Sequence, residues 1–357
     1  MLIKNINYKI YPSGMPFLMY YEGLDRNAFI DTLKERGFKV KPFGGGVYIL
    51  DYPDEGTKEN IIDQLADLDK HFLKHLKLSY IPDEKFVQTK DNLIRALLNL
   101  KPFEKIIEEF IVFQRKEILD SLYAVFQPIV DLRHFEIYAF EALCRGKLPI
   151  YYLMKYAKPI LDTIDWTCRE KALKKKKEEI PPPIKLFLNF FPESLQNVRL
   201  ASEKLFSLLK KYDISPTEIV VEITEYAGFD VKKLKELVKE WRQLGIMIAL
   251  DDIGTGEDSL FRFLEIMPDI IKIDMVFIRG IHENKVKRDI TRYLINLAHA
   301  NDMLVVAEGV ETPEELRVVY ELGADLVQGW LLGKPTEHPK AYLYTPIASK
   351  LKQWLGV

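Results

Sequence analysis

Short apolar runs that alternate with amphipathic stretches constrain the fold of residues 121–357 more than any other feature of the chain. The runs are rich in β-branched residues, as buried strands are, and the stretches between them have the period of helices. This α/β alternation predicts a parallel sheet, and seven or eight such units fit a closed (β/α)8 barrel of the TIM type. An open doubly wound sheet is the alternative, although no glycine-rich phosphate loop follows the first strand. The predicted strands are Ile137–Leu143, Lys185–Asn189, Ile219–Ile223, Met247–Asp251, Ile270–Ile273, Leu304–Ala307 and Leu326–Gln328.

The chain ahead of the barrel is predicted to form a small α/β domain. We divide the sequence into an input or docking domain at 1–82, a helical connector at 83–120 and the barrel at 121–357. The elements predicted in the first domain are strands at Phe17–Tyr21, Lys39–Pro42 and Val47–Tyr52 and helices at Asp25–Arg36 and Lys58–Leu76.

Three glycines, Gly44 to Gly46, separate two of these strands and predict a hairpin turn. The segment around them loosely resembles the signature hairpin of diguanylate cyclases. That family has acidic residues directly after its paired glycines, where this chain has Gly46 and Val47. We therefore expect the first domain to be noncatalytic, with a protein or a ligand as its partner.

The charge balance excludes some classes of function. The 51 basic and 53 acidic residues give a net charge of -2, so we expect no DNA partner. No apolar run reaches the roughly 20 residues that span a bilayer, and the first residues lack a secretory pattern, so we expect a cytoplasmic protein without a membrane partner. Cys144 and Cys168 form no CxxC pair and are expected to be reduced thiols. The charged run Lys174–Glu179 is expected to be a solvated helix end.

Polar or ionisable residues follow the apolar runs where the predicted strands end. The carboxyl ends of barrel strands converge on one face, so these side chains should meet in one pocket. The group comprises five carboxylates, one carboxamide at the end of the second run and another at the end of the last, and a lysine: Glu141, Asn189, Glu222, Asp251, Asp252, Lys272, Glu308 and Gln328.

Five carboxylates in one pocket repel each other unless cations neutralise them. Oxygen ligands without Cys or His select hard ions, Mg²⁺ or Mn²⁺, over Zn²⁺. The adjacent Asp251 and Asp252 can each reach a different ion of a pair, and two ions about 3.5–4 Å apart suit in-line displacement at phosphorus. The sequence therefore predicts a two-metal site for a phosphate ester.

Each of these residues also has a structural interpretation. A carboxylate at a strand end commonly caps the next helix. Asp251 and Asp252 precede Gly254 and could form only a turn, and Lys272 could form an ion pair with Asp274. Because so many polar residues coincide at successive strand ends, we favour a functional site.

Eight ordered motifs between about Ser121 and Pro335 resemble the EAL family of cyclic di-GMP phosphodiesterases. The namesake triplet is Glu141-Ala142-Leu143, followed by Cys144-Arg145. The other motifs are Phe126-Gln127-Pro128-Ile129-Val130, Asn189-Phe190-Phe191-Pro192, Glu222-Ile223-Thr224-Glu225, Asp251-Asp252-Ile253-Gly254-Thr255-Gly256, Lys272-Ile273-Asp274, Ala307-Glu308-Gly309-Val310-Glu311-Thr312 and Val327-Gln328-Gly329-Trp330.

The resemblance implies a modified (β/α)8 barrel whose first strand runs against the others, and hydrolysis of cyclic di-GMP to linear pGpG. It implies that Lys272 orients the attacking water and that Glu308 is the general base. Asp251 would also serve the second ion, with Asp252 and help from Glu308. The implied ligands of the first Mg²⁺ or Mn²⁺ ion are Glu141, Asn189, Glu222 and Asp251.

The resemblance further implies a loop anchor, Glu225, a homodimer through the barrel, and inhibition by the larger Ca²⁺ ion. The loop after Gly256 is more acidic than the family's, with Glu257 and Asp258. A weak receptor or an interaction module that uses the same pocket is the alternative function. The residues implied to contact the dinucleotide or support the metal ligands are Gln127, Leu143, Arg145, Asp274, Glu311 and Gln328.

Overall fold

The structure, a computed structural model, describes residues 17–51, 65, 68, 70–81, 85–113, 115–190, 198–223, 231–253 and 259–357. The chain forms two compact units. Unit 1 comprises residues 1–118 and 151–159, and unit 2 comprises residues 119–150 and 160–357. In the described part of the chain, no helix combines the length and the apolar character that crossing a bilayer requires.

Unit 1 contains a five-stranded antiparallel sheet with the strand order β2-β3-β1-β4-β5. The glycine turn joins β2 to β3 as predicted, and Gly45 and Gly46 both adopt the positive φ that such a two-residue turn requires. The strands are β1 (Phe17–Tyr21), β2 (Lys39–Gly44), β3 (Val47–Asp51), β4 (Leu76–Tyr80) and β5 (Lys101–Pro102). The helices are α1 (Arg26–Glu35), α2 (Lys70–Lys74), α3 (Lys90–Leu98), α4 (Phe103–Phe113) and α5 (Arg115–Ser121), with a 3₁₀ turn at Phe86–Gln88; α5 crosses the boundary between the units.

The segment expected to be a connector is part of unit 1. Val87 and Ala96 are buried in one apolar cluster with Leu18 and Ile49 of the sheet. The sheet also gains β4, which the sequence reasoning missed because it extended the preceding helix to Leu76. Much of that predicted helix, including residues 58–64, lies outside the described residues.

Unit 2 is the predicted barrel, closed in the order β10-β11-β12-β13-β6-β7-β8-β9. β6 runs antiparallel to both of its neighbours, and all the other pairs are parallel. The reversed first strand is therefore confirmed. The strands are β6 (Tyr123–Asp131), β7 (Glu136–Arg145), β8 (Lys185–Phe190), β9 (Ile219–Ile223), β10 (Met247–Ile253), β11 (Ile270–Ile273), β12 (Leu304–Ala307) and β13 (Leu326–Gln328).

Helices that follow the strands pack against the outside of the barrel through one large apolar cluster, with Trp241 fully buried in it. The helices that follow β6 along the chain are α6 (Ile150–Tyr156), α7 (Leu161–Glu179), α8 (Val198–Lys211), α9 (Val231–Gln243), α10 (Ser259–Ile266), α11 (Met275–Ile278), α12 (Lys285–His299), α13 (Pro313–Glu321) and α14 (Ile347–Leu355). In the described residues of this part of the chain, 3₁₀ segments lie at Lys158–Ile160, Pro216–Glu218 and Pro339–Tyr344.

A second apolar cluster fills the inside of the barrel and receives one buried residue from each of the eight strands. We call this cluster the apolar plug. It closes the interior on one side, as the layered filling of such barrels does. Its members are Ile129, Ala139, Phe187, Val220, Ala249, Ile270, Val306 and Leu326.

A disulfide joins Cys144 at the end of β7 to Cys168 in α7, and the Cα atoms lie 5.7 Å apart. The expectation of two free thiols is wrong because the fold brings together two cysteines that are 24 residues apart. Between them the chain leaves unit 2 after Ile150, contributes Tyr151–Pro159 to unit 1, and returns at Ile160.

Candidate functional site

Eight of the predicted site residues form the next layer of side chains inside the barrel, directly beyond the apolar plug. Side chains alternate along a strand with a period of two, so the residue two positions beyond each plug residue also points inward. On β6, which runs in reverse, the count goes backward. We call the result the charged layer: Gln127, Glu141, Asn189, Glu222, Asp251, Lys272, Glu308 and Gln328.

Lys272 is the centre of the charged layer. Its ammonium nitrogen Nζ lies 2.7 Å from Glu222 Oε1, 2.8 Å from Glu308 Oε1 and 3.0 Å from Asp251 Oδ1. The lysine side chain is 1% exposed, so these contacts form out of bulk water and are electrostatically strong. The alternative pair of Lys272 with Asp274 is not formed; Asp274 instead caps α11, accepting a hydrogen bond from Val276 N at 2.7 Å.

Two side-chain amides, those of Gln328 and Asn189, each donate a hydrogen bond to Glu141. Gln328 Nε2 donates to Glu141 Oε2 at 2.7 Å, and Asn189 Nδ2 donates to Glu141 Oε1 at 3.1 Å. These two hydrogen bonds fix the orientation of the Glu141 side chain. β10 is irregular at the matching level, where its register against β11 shifts between Leu250 and Ile253. Such bulges commonly re-aim side chains beside active sites.

Burial and mutual repulsion perturb the acids of the layer. Burial raises the pKa of Glu308 to about 8, although Lys272 opposes the change. Burial likewise raises the pKa of Glu222 well above its usual range. Burial would lower the pKa of Lys272, but the carboxylates of Asp251, Glu141, Glu222 and Glu308 outweigh it and raise that pKa well above its ordinary value. Four carboxylates face one ammonium, so the layer takes up protons to limit its negative charge.

A cavity of about 280 Å³ opens above the layer. Gln127, Asp274 and Glu311, which were predicted to contact substrate, line it together with acids of the layer. The lining residues that were not predicted include Arg279, which pairs with Glu311, and Trp330, which is 56% exposed. Trp330 is the last residue of the motif Val327-Gln328-Gly329-Trp330, and its aromatic type was the available signal.

Other predicted residues lie elsewhere or outside the described part of the chain. Leu143 and Arg145 do not line this cavity, and Arg145 Nη1 donates to the Cys144 carbonyl at 2.8 Å. The backbone of Asp252 lies in β10, but its side chain is outside the described residues, as are Glu225 and the loop with Glu257 and Asp258.

The donor set of the layer fits a hard cation. Glu222 Oε1 contacts the Lys272 ammonium, but Glu222 Oε2 and Gln328 Oε1 are buried with no hydrogen bond among the described residues. These orphaned oxygens are the ligand type that Mg²⁺ and Mn²⁺ prefer. Among the described residues no three acidic, His or Cys side chains close on one point as a finished metal site would, since Lys272 lies between the carboxylates.

Comparison with known families identifies this barrel. The EAL domain family matches residues 113–335, which is more than half of the chain. The chain belongs to the EAL family. Its matched region covers the charged layer and the cavity, and the barrel predicted for it is confirmed.

Curated relatives and solved structures agree with this assignment. PdeF, a cyclic di-GMP phosphodiesterase of Escherichia coli (strain K12), is 37% identical over 155 residues, 43% of this chain and 21% of PdeF. PdeA, a probable cyclic di-GMP phosphodiesterase of the same strain, is 36% identical over 149 residues, 42% of this chain and 20% of PdeA. The chain thus spans about a fifth of the length of these relatives.

An EAL protein from Vibrio cholerae O395, solved in its c-di-GMP-bound form, has a TM-score of 0.56 and 29% identity. The match covers 60% of this chain and 92% of that one. Klebsiella pneumoniae BlrP1, solved as a manganese/c-di-GMP complex, shares the fold over 90% of this chain and 96% of its own, with a TM-score of 0.56 and 21% identity.

We expect affinity for Mn²⁺ to rise with pH up to about 8. Below its pKa of about 8, Glu308 holds a proton that a cation must displace, so affinity should increase by about tenfold per pH unit below 8 for each proton released. Titration calorimetry of the metal-free chain, in buffers with different ionisation enthalpies, measures both the Mn²⁺ affinity and the number of protons released on binding.

The matched control for this experiment is Glu308→Gln, which keeps the shape of the side chain and replaces the ionisable carboxyl group by a neutral amide. This variant should show a shallower dependence on pH. An affinity that does not change with pH in the unsubstituted chain would contradict the assigned protonation.

Proposed function

We propose that the chain hydrolyses cyclic di-GMP to linear pGpG with two divalent ions, Mg²⁺ or Mn²⁺. The observation that carries the proposal is the charged layer: four carboxylates around one buried ammonium, with orphaned acceptor oxygens of Glu222 and Gln328, at the carboxyl ends of the strands of an EAL barrel. A phosphodiester is anionic and is repelled by the carboxylates of the layer. Metal cations bound between them would offset this repulsion and let the substrate approach.

The proposed division of labour is the one that the resemblance to the EAL family implies. Glu141, Asn189, Glu222 and Asp251 would hold one ion, and Asp251 with Asp252 and Glu308 would hold the other. When bound, the ions would supply a nucleophilic water at neutral pH and neutralise charge at phosphorus. Gln328 would keep Glu141 oriented through its 2.7 Å hydrogen bond.

Lys272 and Glu308 would handle the water. The lysine has a raised pKa and stays an ammonium, so it can only donate hydrogen bonds and would orient the water. Glu308 faces the cavity, and a pKa of about 8 suits a general base that gains and loses a proton near neutral pH.

The dinucleotide would occupy the cavity above the layer. Gln127, Asp274 and Glu311 offer polar contacts there, Arg279 offers a guanidinium to a phosphate, and Trp330 offers an aromatic face to a guanine. Leu143 and Arg145, at the end of β7, would complete the substrate contacts outside the described cavity.

Glu141→Ala should abolish turnover, because it removes a metal ligand and the acceptor for two amides. We expect turnover to fall by about 100-fold or more, measured as pGpG formation in Mn²⁺ by chromatography. The control is Glu321→Ala, which removes an exposed acid on α13.

Replacing Mn²⁺ by Ca²⁺ should inhibit turnover of cyclic di-GMP, since looser coordination misplaces the water. An unsubstituted chain that binds cyclic di-GMP in Mn²⁺ and leaves it intact is a receptor, and that result would overturn the proposal.

We also propose that the chain forms a homodimer through the barrel. Val286, Ile290 and Tyr293 recur on one face of α12 and are 65%, 39% and 64% exposed. Such an apolar stripe commonly marks an interface.

Tyr293→Lys should therefore weaken dimerisation, raising the dimer dissociation constant by about tenfold or more. Sedimentation equilibrium measures it, with Glu321→Lys as a control that places a lysine at an exposed position of α13 instead. A monomeric unsubstituted chain would contradict the dimer.

Regulation by unit 1 is the remaining part of the proposal. The chain runs from β7, which carries Glu141, through a short connection into α6, and Tyr151–Pro159 belong to unit 1. A rearrangement of unit 1 would therefore be transmitted along the chain to the end of β7.

Leu153→Ala loosens a side chain of α6 that is fully buried in unit 1. We expect kcat to fall by about fivefold or more, and Leu33→Ala, equally buried on α1 of the same unit, to have a smaller effect. If both variants turn over substrate like the unsubstituted chain while remaining folded, unit 1 does not regulate the barrel through α6.

A further inference from the structure

Two cations are buried on α7, one at each end of the barrel. Arg169 and Lys176 are 2% and 1% exposed, although they lie on the same helix within two turns of each other. Lys176 belongs to a charged run that the sequence predicted to be solvated. A buried cation is costly unless its hydrogen bonds are satisfied, so the partners of each one indicate its task.

Arg169 contacts the carboxyl end of β8. Its Nε donates to the backbone carbonyl of Asn189 at 3.2 Å, and its Nη2 forms an ion pair with Asp165 one turn earlier in α7. The guanidinium carbon lies 3.3 Å from the centre of the Phe190 ring and 4.6 Å from that of Trp166. One side chain thus fixes the last two residues of β8, the first through its backbone and the second through its ring.

Lys176 contacts the other end of the barrel. Its Nζ lies 2.5 Å from Glu218 Oε2 and donates to the Ile180 carbonyl at 3.2 Å. Glu218 directly precedes β9, so this cation fastens the helix where strands begin. No residue of the charged layer takes part in these contacts.

The position of Asn189 matters because its amide is within the charged layer. Asn189 Nδ2 donates to Glu141 Oε1 at 3.1 Å, and a displaced backbone would carry the amide away from Glu141. β8 ends at Phe190. Asn189 still pairs with Glu222 of β9, but the pairing of β8 with β7 stops at Leu188, so Arg169 adds a hold on this backbone from outside the sheet. The planar fork of an arginine donates a hydrogen bond and stacks on rings at the same time, which a lysine does not do.

We propose that Arg169 is a positioning residue that sets the affinity of the site for its divalent ion by holding Asn189 in place. The inference rests on the proposed function, since it takes Asn189 and Glu141 to be metal ligands. Arg169 touches neither substrate nor ion and acts through the Asn189 backbone and the Phe190 ring. Lys176 provides a matched comparison, because it is an equally buried cation on the same helix that contributes to folding alone.

The test compares Mn²⁺ binding by the metal-free full chain with Arg169→Met, Arg169→Lys and Lys176→Met, using electron paramagnetic resonance of free Mn²⁺. Arg169→Met should raise the Mn²⁺ dissociation constant by about tenfold or more, as loss of an outer partner of a metal ligand does. Arg169→Lys should fall between Arg169→Met and the unsubstituted chain, and Lys176→Met should bind like the unsubstituted chain. Thermal unfolding of each variant should show that Arg169→Met and Lys176→Met both lower the stability of the fold.

A kinetic readout separates positioning from chemistry. In Arg169→Met the Mn²⁺ concentration for half-maximal turnover should rise, and kcat at saturating Mn²⁺ should recover. Equal Mn²⁺ affinities for Arg169→Met and Lys176→Met would overturn the inference alone, and an unsubstituted chain that binds no Mn²⁺ would overturn the proposed function with it. If Arg169→Met does not fold, Arg169→Lys against Lys176→Met decides in the same way.

Discussion

The site depends on the ion pairs between the buried ammonium of Lys272 and the carboxylates around it inside the barrel. Its three contacts of 2.7–3.0 Å hold acids from β9, β10 and the end of β12 around one point. Without that cation the same acids would repel each other in a medium that screens charge poorly. Even with Lys272 the layer has more acidic than basic groups, and this deficit of positive charge is the physical basis for the metal ions that we propose there.

The apolar plug is the physical counterpart of this charged layer. Eight apolar side chains close the barrel from below. The charged layer lies directly above them, and six of its eight residues line the cavity. Residues i and i+2 of a strand lie on the same face, because side chains alternate with a period of two. The same alternation that folds the barrel therefore delivers polar groups to its open end.

That regularity explains how much of the site could be predicted. Strand ends are visible as the places where an apolar run stops, so the seven parallel strands and the members of the charged layer they carry, such as Glu222 and Lys272, could be located from local pattern. The contacts of Arg169 could not, because they depend on which helix face meets β8. Lys176 shows the same limit: a run of four lysines indicates a wet surface, yet one of them is buried against Glu218.

Unit 1 was harder to predict, since its sheet joins β4 and β5 through pairings between distant segments. The excursion of Tyr151–Pro159 into this unit left no local signal at all. It also gives the Cys144–Cys168 disulfide a topological meaning, because the bridge closes a covalent ring that contains the whole excursion. A protease that cuts this ring once would open it without separating the chain into two pieces, and the cut would become visible on a gel only after reduction.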